Sequence, residues 1–267
     1  MLPRRRFHPF ELDTFGLAKL VRAAIRRKAA KIIIGIGGSA TNDGGFGLAR
    51  ALGWTFLDAD GNAILKWTDL HRLVSVLAPR QFHMSNIVVA VDVRNPLLGR
   101  RGATRIYGPQ KGLLPREFSK AEANLRRLAA VANSGSRLAL QPGSGAAGGL
   151  GFGLAVFCNA SLRSGFELFV ERTKLQRHIR MADLVITGEG AIDRSTVMGK
   201  GVGELARLCR KEKIPCIAIG GTSKLPHGRV KPFTQVHALT NLTTAANAML
   251  KSEHWLQRLA EKIAKQG

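Results

Sequence analysis

Apolar residues recur along the chain in two rhythms. Residues 15–28 (FGLAKLVRAAIRRK) carry them at helical spacing with basic residues opposite, which predicts an amphipathic helix. It feeds Ile32, Ile33 and Ile34, a β-branched run that predicts a strand buried on both faces. Residues 46–52 predict a short helix, and residues 54–57 and 63–65 flank the turn-forming stretch Asp58-Ala59-Asp60-Gly61-Asn62, predicting a hairpin. Residues 86–93 (NIVVAVDV) read as a second buried strand, and residues 115–132 as a long helix opened by Pro115 and Glu117. Further strands are predicted at 181–190, 214–221 and 236–239, with helices at 202–210 and 245–265. Strands alternating with helices predict an α/β fold built on parallel sheets.

The first strand runs into Gly35, Gly37 and Gly38, then Ser39, Thr41, Asn42 and Asp43, then Gly44 and Gly45. A strand, a glycine turn and a helix bring backbone N–H groups close to an anion with no Cβ in the way. A phosphate or carboxylate site at this loop, with the helix N-terminus facing the anion, is the first expectation. Three motifs nearly fit. Gly35, Gly37 and Ala40 satisfy the loose dinucleotide fingerprint, with Asp58 or Asp60 as the ribose acid. No Gly-Lys-Ser/Thr closes a P-loop, and Thr41 stands where the last glycine of a nucleophile elbow belongs. A plain tight turn is the bland alternative.

Other candidates lie at strand ends and in glycine-rich segments. Asp92 follows the second strand, where a carboxylate suits a ligand crevice or merely caps a turn. Lys111, in GPQKG, is predicted to sit in a loop, where most lysines are simply solvated. Residues 142–153 (PGSGAAGGLGFG) either close over a ligand or serve close helix packing. Glu189 and Asp193, four apart at the end of the strand at 181–190, are candidates for Mg²⁺ or general-base work, and Lys200 opens the next helix. The histidines show no metal-ligand spacing, so no zinc site is predicted.

Composition narrows the function classes. A chain of 267 residues with 45% apolar content can bury a substantial core, as one large or two ordinary domains. The 3 cysteines have no C-x-x-C spacing and apolar surroundings, which predicts a reducing, cytoplasmic setting. No secretory signal is evident at the N-terminus, and the long charge-free stretch 138–162 is too polar and glycine-rich for a membrane span. The net charge of +23 invites a nucleic-acid reading. The basic residues are spread over nearly every predicted helix, however, and aromatic content is only 6% with 1 tyrosine, so a solvated basic surface is expected and no nucleic acid or membrane partner.

Taken together, residues 34–45 (IGIGGSATNDGG), 90–97 (AVDVRNPL), 108–112 (GPQKG), 142–153 and 182–193 (ADLVITGEGAID) resemble the glycerate kinase family, the bacterial type whose members phosphorylate glycerate with ATP. The motifs occur in the family's order over most of the chain. The resemblance implies an ATP- and Mg²⁺-dependent small-molecule kinase, usually making 2-phosphoglycerate, with two α/β domains, one inserted into a Rossmann-like one, and an active site in the cleft between them. On this chain residues 1–173 would be the inserted domain and residues 174–267 the C-terminal part of the Rossmann-like domain. The family's Asp-Ser-Phe-Lys-Gly strand and Ala-Asp-Gly-Gly-Glu-Gly segment are not found in this sequence, and Arg94 stands where an acid is common. The expectation is therefore a shortened member whose Rossmann-like sheet lacks its first strands, leaving apolar surface beside Leu184 and Ile217.

In the kinase reading Gly37, Gly38, Ser39 and Thr41 cradle an anion and Asn42 orients it, with Gly188 and Gly190 as the second glycine pair. Asp43 or Asp193 accepts the proton of the attacking hydroxyl, Asp92 and Glu189 hold Mg²⁺, and Lys111 and Lys200 neutralise phosphate charge. Glycerate and ATP are the expected partners, with a homodimer as the possible assembly. Two alternatives stay open: an inactive family member acting as a binding or scaffold protein, and a serine hydrolase using Ser39, Asp193 and His237.

Overall fold

The computed structural model describes residues 7–80, 86–132, 135–197, 201–226, 228 and 230–265. It divides into two compact units, residues 1–165 and 166–267.

The first unit starts with a 3₁₀ turn at Pro9–Glu11, and a second at Phe15–Leu17 runs into α1 (Ala18–Arg26), which has Ala18 and Val21 on its buried face. Strand β1 (Ile32–Gly35), helix α2 (Phe46–Leu52), β2 (Thr55–Leu57), β3 (Ser75–Leu77) and β4 (Ile87–Val91) follow. Helices α3 (Ala103–Lys111), α4 (Phe118–Val131), α5 (Gly135–Ala139) and α6 (Ala146–Phe157) lead to β5 (Ser161–Ser164). Strands β1, β4 and β5 form a parallel sheet in the order β1-β4-β5. Central β4 is the strand that its continuous apolar run predicts: Ile87, Val88, Val89 and Val91 are all buried. β1 departs from expectation. It is an edge strand, and Ile33 is 46% exposed although Ile32 is buried, because only one side of it meets the core.

The expected hairpin also changes partner. β2 pairs antiparallel with β3, while Leu57 makes a single bridge to Ala63. Asp58 explains the turn, since its Oδ1 accepts from the amides of Asp60 and Asn62 and its Oδ2 pairs with Arg72.

Helices α2 and α6 are buried between two apolar clusters. Phe46, Phe152 and Phe157 pack with Phe56, Trp67, Leu125 and Leu128, while Leu48, Leu52, Leu150 and Leu154 pack with Ile32, Ile87 and Val89. A helix flanked on both sides must be apolar all round, which is what the sequence of α6 shows. The backbones approach closely enough that a Cβ at Gly45 would lie 2.7 Å from Gly153 Cα, and one at Gly153 would lie 2.6 Å from Gly44 O. Helix packing therefore accounts for several glycines of the second glycine-rich segment.

The second unit contains α7 (Gly165–Thr173), α8 (Leu175–Arg180), β6 (Val185–Ile192), α9 (Arg194–Val197), α10 (Gly201–Lys211), β7 (Cys216–Ser223), β8 (Gln235–Ala238), α11 (Ala245–Leu250) and α12 (Ser252–Ala264). Its sheet is parallel in the order β6-β7-β8. Ile179, Ile192, Ala206, Cys209, Cys216, Ala218, Phe233 and Val236 form its main core. The edge strand β6 leaves Ile186 62% exposed, with Leu184 just before it 43% exposed. The sequence anticipates the exposure at Leu184, but Ile217, expected beside the same apolar surface, is buried at 7% because β7 is the central strand of the sheet.

Candidate functional site: an anchored lysine in a glycine loop

In the first unit the loop after β1 is fixed by one buried carboxylate. Asp43 is fully buried; its Oδ2 accepts from the amide of Thr14 at 2.8 Å, the hydroxyl of Thr14 at 2.7 Å and the amide of Gly47 at 3.0 Å, and its Oδ1 from the amide of Gly45 at 3.2 Å. Burial pushes its pKa up from the ordinary carboxylate value, and the four donors oppose that rise. The amides opening α2 are thereby used inside the protein, with Leu48 N–H donating to Thr14 Oγ1 at 2.9 Å. The expectation that this helix N-terminus faces an anion is corrected: Asp43 and Thr14 already satisfy it.

What remains open is the rim. Gly37 and Gly38 are exposed, with φ of +59° at Gly38 and no atom within 4 Å of a Cβ built at either. Ser39 and Thr41 are half-buried beside them. Asn42 is fully buried and donates from Nδ2 to Thr104 Oγ1 at 3.0 Å, which leaves its Oδ1 as a buried acceptor with no hydrogen-bond partner among the described residues.

Lys111 reaches this loop from the end of α3. Its Nζ donates to Ser39 Oγ at 2.9 Å and to the carbonyl of Thr41 at 2.7 Å. The lysine is not in a loop as its glycine and proline neighbours suggest; it is the last residue of a helix that includes Pro109 and ends on Gly112 at φ +103°. Burial lowers its pKa to about 8, against the pull of the Asp43 charge.

The non-helical first turn of α6 closes the other side of the loop. Ala147, Gly148 and Gly149 take left-handed conformations in succession, and Gly148 O accepts from Gly44 N at 3.1 Å. A Cβ at Gly148 would fall 1.9 Å from Thr41 O and 2.9 Å from Lys111 Nζ. Gly148 thus serves the site, whereas Gly149 and Gly153 serve packing. Asp92 lies exposed past the end of β4, with its Oδ1 2.5 Å from where a Cβ at Gly165 would be.

In the second unit the candidates cluster at the end of β6. Thr196 is fully buried; its hydroxyl donates to Glu189 Oε1 and accepts from the amide of Asp193 at 3.1 Å. Glu189 and Asp193 are both half-buried. Gly188 lets β6 lie against β7, since a Cβ there would sit 2.5 Å from Ile219 O, while Gly190 has open space. A cavity of about 640 Å³ is lined by Ile186, Gly188, Glu189, Gly220, Leu239 and Leu256, among others. Lys200 lies outside the described residues. Within this unit the hydrolase candidate His237 is buried and its Nε2 pairs with Gln235 Oε1 at 2.8 Å; in the first unit Ser39 is paired with Lys111.

Thr14, Thr104 and Thr196 escape a sequence reading because single threonines outside the motifs carry no spacing pattern of their own. Only the capping position of Thr196, three residues after Asp193, hints at its role.

Comparison with known proteins gives these groups a context. The family model described as "Glycerate kinase family" matches residues 1–266. A glycerate kinase of Halalkalibacterium halodurans is 36% identical over 99% of this chain and 72% of its own length. The glycerate 2-kinase of Escherichia coli K12 is 40% identical over 83% of this chain and 60% of its own length. A crystal structure described as a glycerate kinase 2 from Salmonella typhimurium LT2 superposes with a TM-score of 0.72 at 37% identity, covering 88% of this chain and 63% of that one. The chain thus spans only part of the length of each relative.

Proposed function

Since the chain belongs to the glycerate kinase family, we propose that it transfers a phosphoryl group from ATP to a hydroxyl of glycerate, the 2-hydroxyl, giving phosphoglycerate. The observation that carries this reading within the molecule is the ammonium of Lys111 held in the glycine loop by Ser39 and Thr41. Phosphoryl transfer asks the protein mainly for alignment and for positive charge against the equatorial oxygens. The exposed amides of Gly37 and Gly38 and the Lys111 cation offer both.

Roles divide by chemistry. In the first unit, Gly37, Gly38, Ser39 and Thr41 bind an anionic group of substrate or nucleotide, and Asn42 braces the loop through Thr104. In the second, Asp193 is the better proton acceptor for the attacking hydroxyl, because Asp43 is fully buried and its oxygens are taken by four donors. Thr196 orients both Glu189 and the Asp193 backbone. Gly190 leaves room for a ligand's close approach on β6, while Gly188 serves the contact of β6 with β7. We read residues 1–173 as the domain that is inserted in longer relatives and residues 174–267 as part of the Rossmann-like one.

Mg²⁺ accompanies ATP in such reactions and prefers oxygen ligands, keeping several waters and needing only one or two carboxylates. Exposed Asp92 in the first unit and half-buried Glu189 in the second each have that donor chemistry, and each on its own would serve as one such carboxylate. No cluster of three or more His, Cys, Asp or Glu side chains occurs among the described residues, so an all-protein cage is not what they offer. When bound, the ion supplies charge neutralisation on the phosphates. We place the reaction in the cytoplasm, in keeping with three buried free thiols.

A coupled ADP-release assay with glycerate and MgATP tests the proposal. Glycerate-dependent turnover is expected. A protein that melts cooperatively yet releases no ADP would overturn it and favour a binding or scaffold role.

A further inference from the structure

Thr14 takes no part in the reaction as assigned above, yet it holds the residue on which the loop is built. Thr14 is 3% exposed. Its hydroxyl hydrogen goes to Asp43 Oδ2 at 2.7 Å, its backbone N–H to the same oxygen at 2.8 Å, and its oxygen accepts from Leu48 N–H at 2.9 Å. One threonine therefore supplies two of the four donors on Asp43 and receives an amide of α2. The neighbouring backbone is equally tight: a Cβ at Gly47 would lie 2.6 Å from Phe15 N and 2.8 Å from Thr14 N. Residues 13–15 rest directly on the first turn of α2, with Leu48, whose amide Thr14 receives, 34 residues further along the chain.

The consequence reaches Lys111. Asp43 is two residues from Thr41, whose carbonyl anchors the lysine, and Gly44, next in the chain, is tied to Gly148 O at 3.1 Å. Asp43 also supplies the negative charge that favours the ammonium form of Lys111. A clamp on Asp43 is therefore a clamp on segment 41–44 and on the cation that segment holds.

We propose that Thr14 is a positioning residue for the anion loop, acting through Asp43 to hold the Thr41 carbonyl against Lys111. Its effect on turnover rests on the kinase reading above; its effect on Lys111 does not. The contrast that matters is hydroxyl against methyl: Thr14→Val keeps the shape and loses the donor, while Thr14→Ser keeps the donor.

Two readouts separate the possibilities. The first is the rate at which Lys111 is acetylated by an N-hydroxysuccinimide ester near neutral pH, followed by peptide mass spectrometry against the exposed Lys19 as internal reference. The second is kcat and KM for glycerate and ATP. Thr14→Val is expected to raise Lys111 acetylation several-fold and to lower kcat/KM by about tenfold or more, as for a lost hydrogen bond to a buried charge. Thr14→Ser is expected to stay within about twofold of the parent on both, because it retains the donor. A Thr14→Val protein with a lowered Tm but parental Lys111 reactivity would make Thr14 a fold clamp only and overturn the proposal. If Thr14→Val does not fold, Thr14→Cys, a weak donor, takes its place: unchanged Lys111 reactivity there overturns the proposal as well. Absence of turnover in the parent protein would count against the kinase reading alone, since the acetylation measurement still decides the role of Thr14.

Discussion

Lys111 Nζ stands 2.7 Å from the carbonyl oxygen of Thr41, so the C-terminal residue of one helix is locked to a loop seventy residues earlier in the chain. A second bond to Ser39 Oγ at 2.9 Å fixes the direction of the ammonium group. Two of its hydrogens are spent on the protein and one remains for an anion.

The first prediction concerns pH. With its pKa lowered to about 8 by burial, Lys111 is cationic below that value and neutral above it. Anion binding and kcat/KM are therefore expected to fall as pH rises through about 8, and Lys111→Arg, which keeps its charge, should remove that alkaline limb. Stability runs the other way. The unfolded chain holds the proton up to the ordinary lysine value of 10.5, so between about 8 and 10.5 it binds more protons than the folded one. The contribution of this group to stability then rises with pH across that window. A pH series of kcat/KM for both proteins, beside urea melts of the parent, checks both signs.

The second concerns Gly148, which is left-handed at φ +71° and has no room for a side chain. In Gly148→Ala the new methyl would collide with Thr41 O and press on Lys111 Nζ. A stability loss of about 1–3 kcal/mol is expected from the backbone conformation alone. Anion affinity should fall further than in Gly190→Ala, where a Cβ meets nothing within 4 Å. Thermal melts with and without ATP compare the two.

How much of this was legible in the sequence differs from residue to residue. Strand β4 declared itself, because a strand buried on both faces must be apolar throughout. The same run at β1 misled, since the exposure of Ile33 depends on the strand's place at the sheet edge, which no local pattern encodes. The glycine loop, Lys111 and the Glu189–Asp193 pair were visible because their motifs carry unusual residues at fixed spacing. Their partners were not. Thr14 and Thr196 act through single hydroxyl groups whose targets are set by tertiary packing, and Asp43 looked accessible because small polar neighbours surround it in sequence. The family resemblance supplied the fold class and the activity, whereas the use of the α2 amides by Asp43 appeared only in three dimensions.

The third prediction follows from the cysteines. Cys158, Cys209 and Cys216 are all buried. Burial pushes the thiols of Cys158 and Cys216 up to about 12 and that of Cys209 upward as well. Thiolate is the reactive form. Iodoacetamide near neutral pH is therefore expected to leave the folded protein unmodified and to label all 3 cysteines once it is unfolded in urea. Labelling in the native state, located by peptide mass spectrometry, would show local opening at the end of α6 if on Cys158 and of the core around β7 if on Cys209 or Cys216.

The last prediction separates the two aspartates proposed from sequence as proton acceptors. Asp193 is half-buried just past β6, with its amide fixed by Thr196, whereas Asp43 is fully buried under four donors. Asp193→Asn is expected to lower kcat by about 10²–10⁴, the usual range for loss of a general base. Asp43→Asn replaces an acceptor facing four donors by a group that is itself half donor. It is expected to cost roughly 1–3 kcal/mol of stability through the unmade hydrogen bonds. It should also free Lys111 from its buried counter-charge, so that the alkaline limb of its pH profile moves to lower pH. The pH profile decides between the roles: a lost base lowers the rate at every pH where the base was ionised, whereas a lost counter-charge moves the limb. Full turnover in Asp193→Asn would end its assignment as the base, and an unmoved alkaline limb in Asp43→Asn would end the electrostatic link between Asp43 and Lys111.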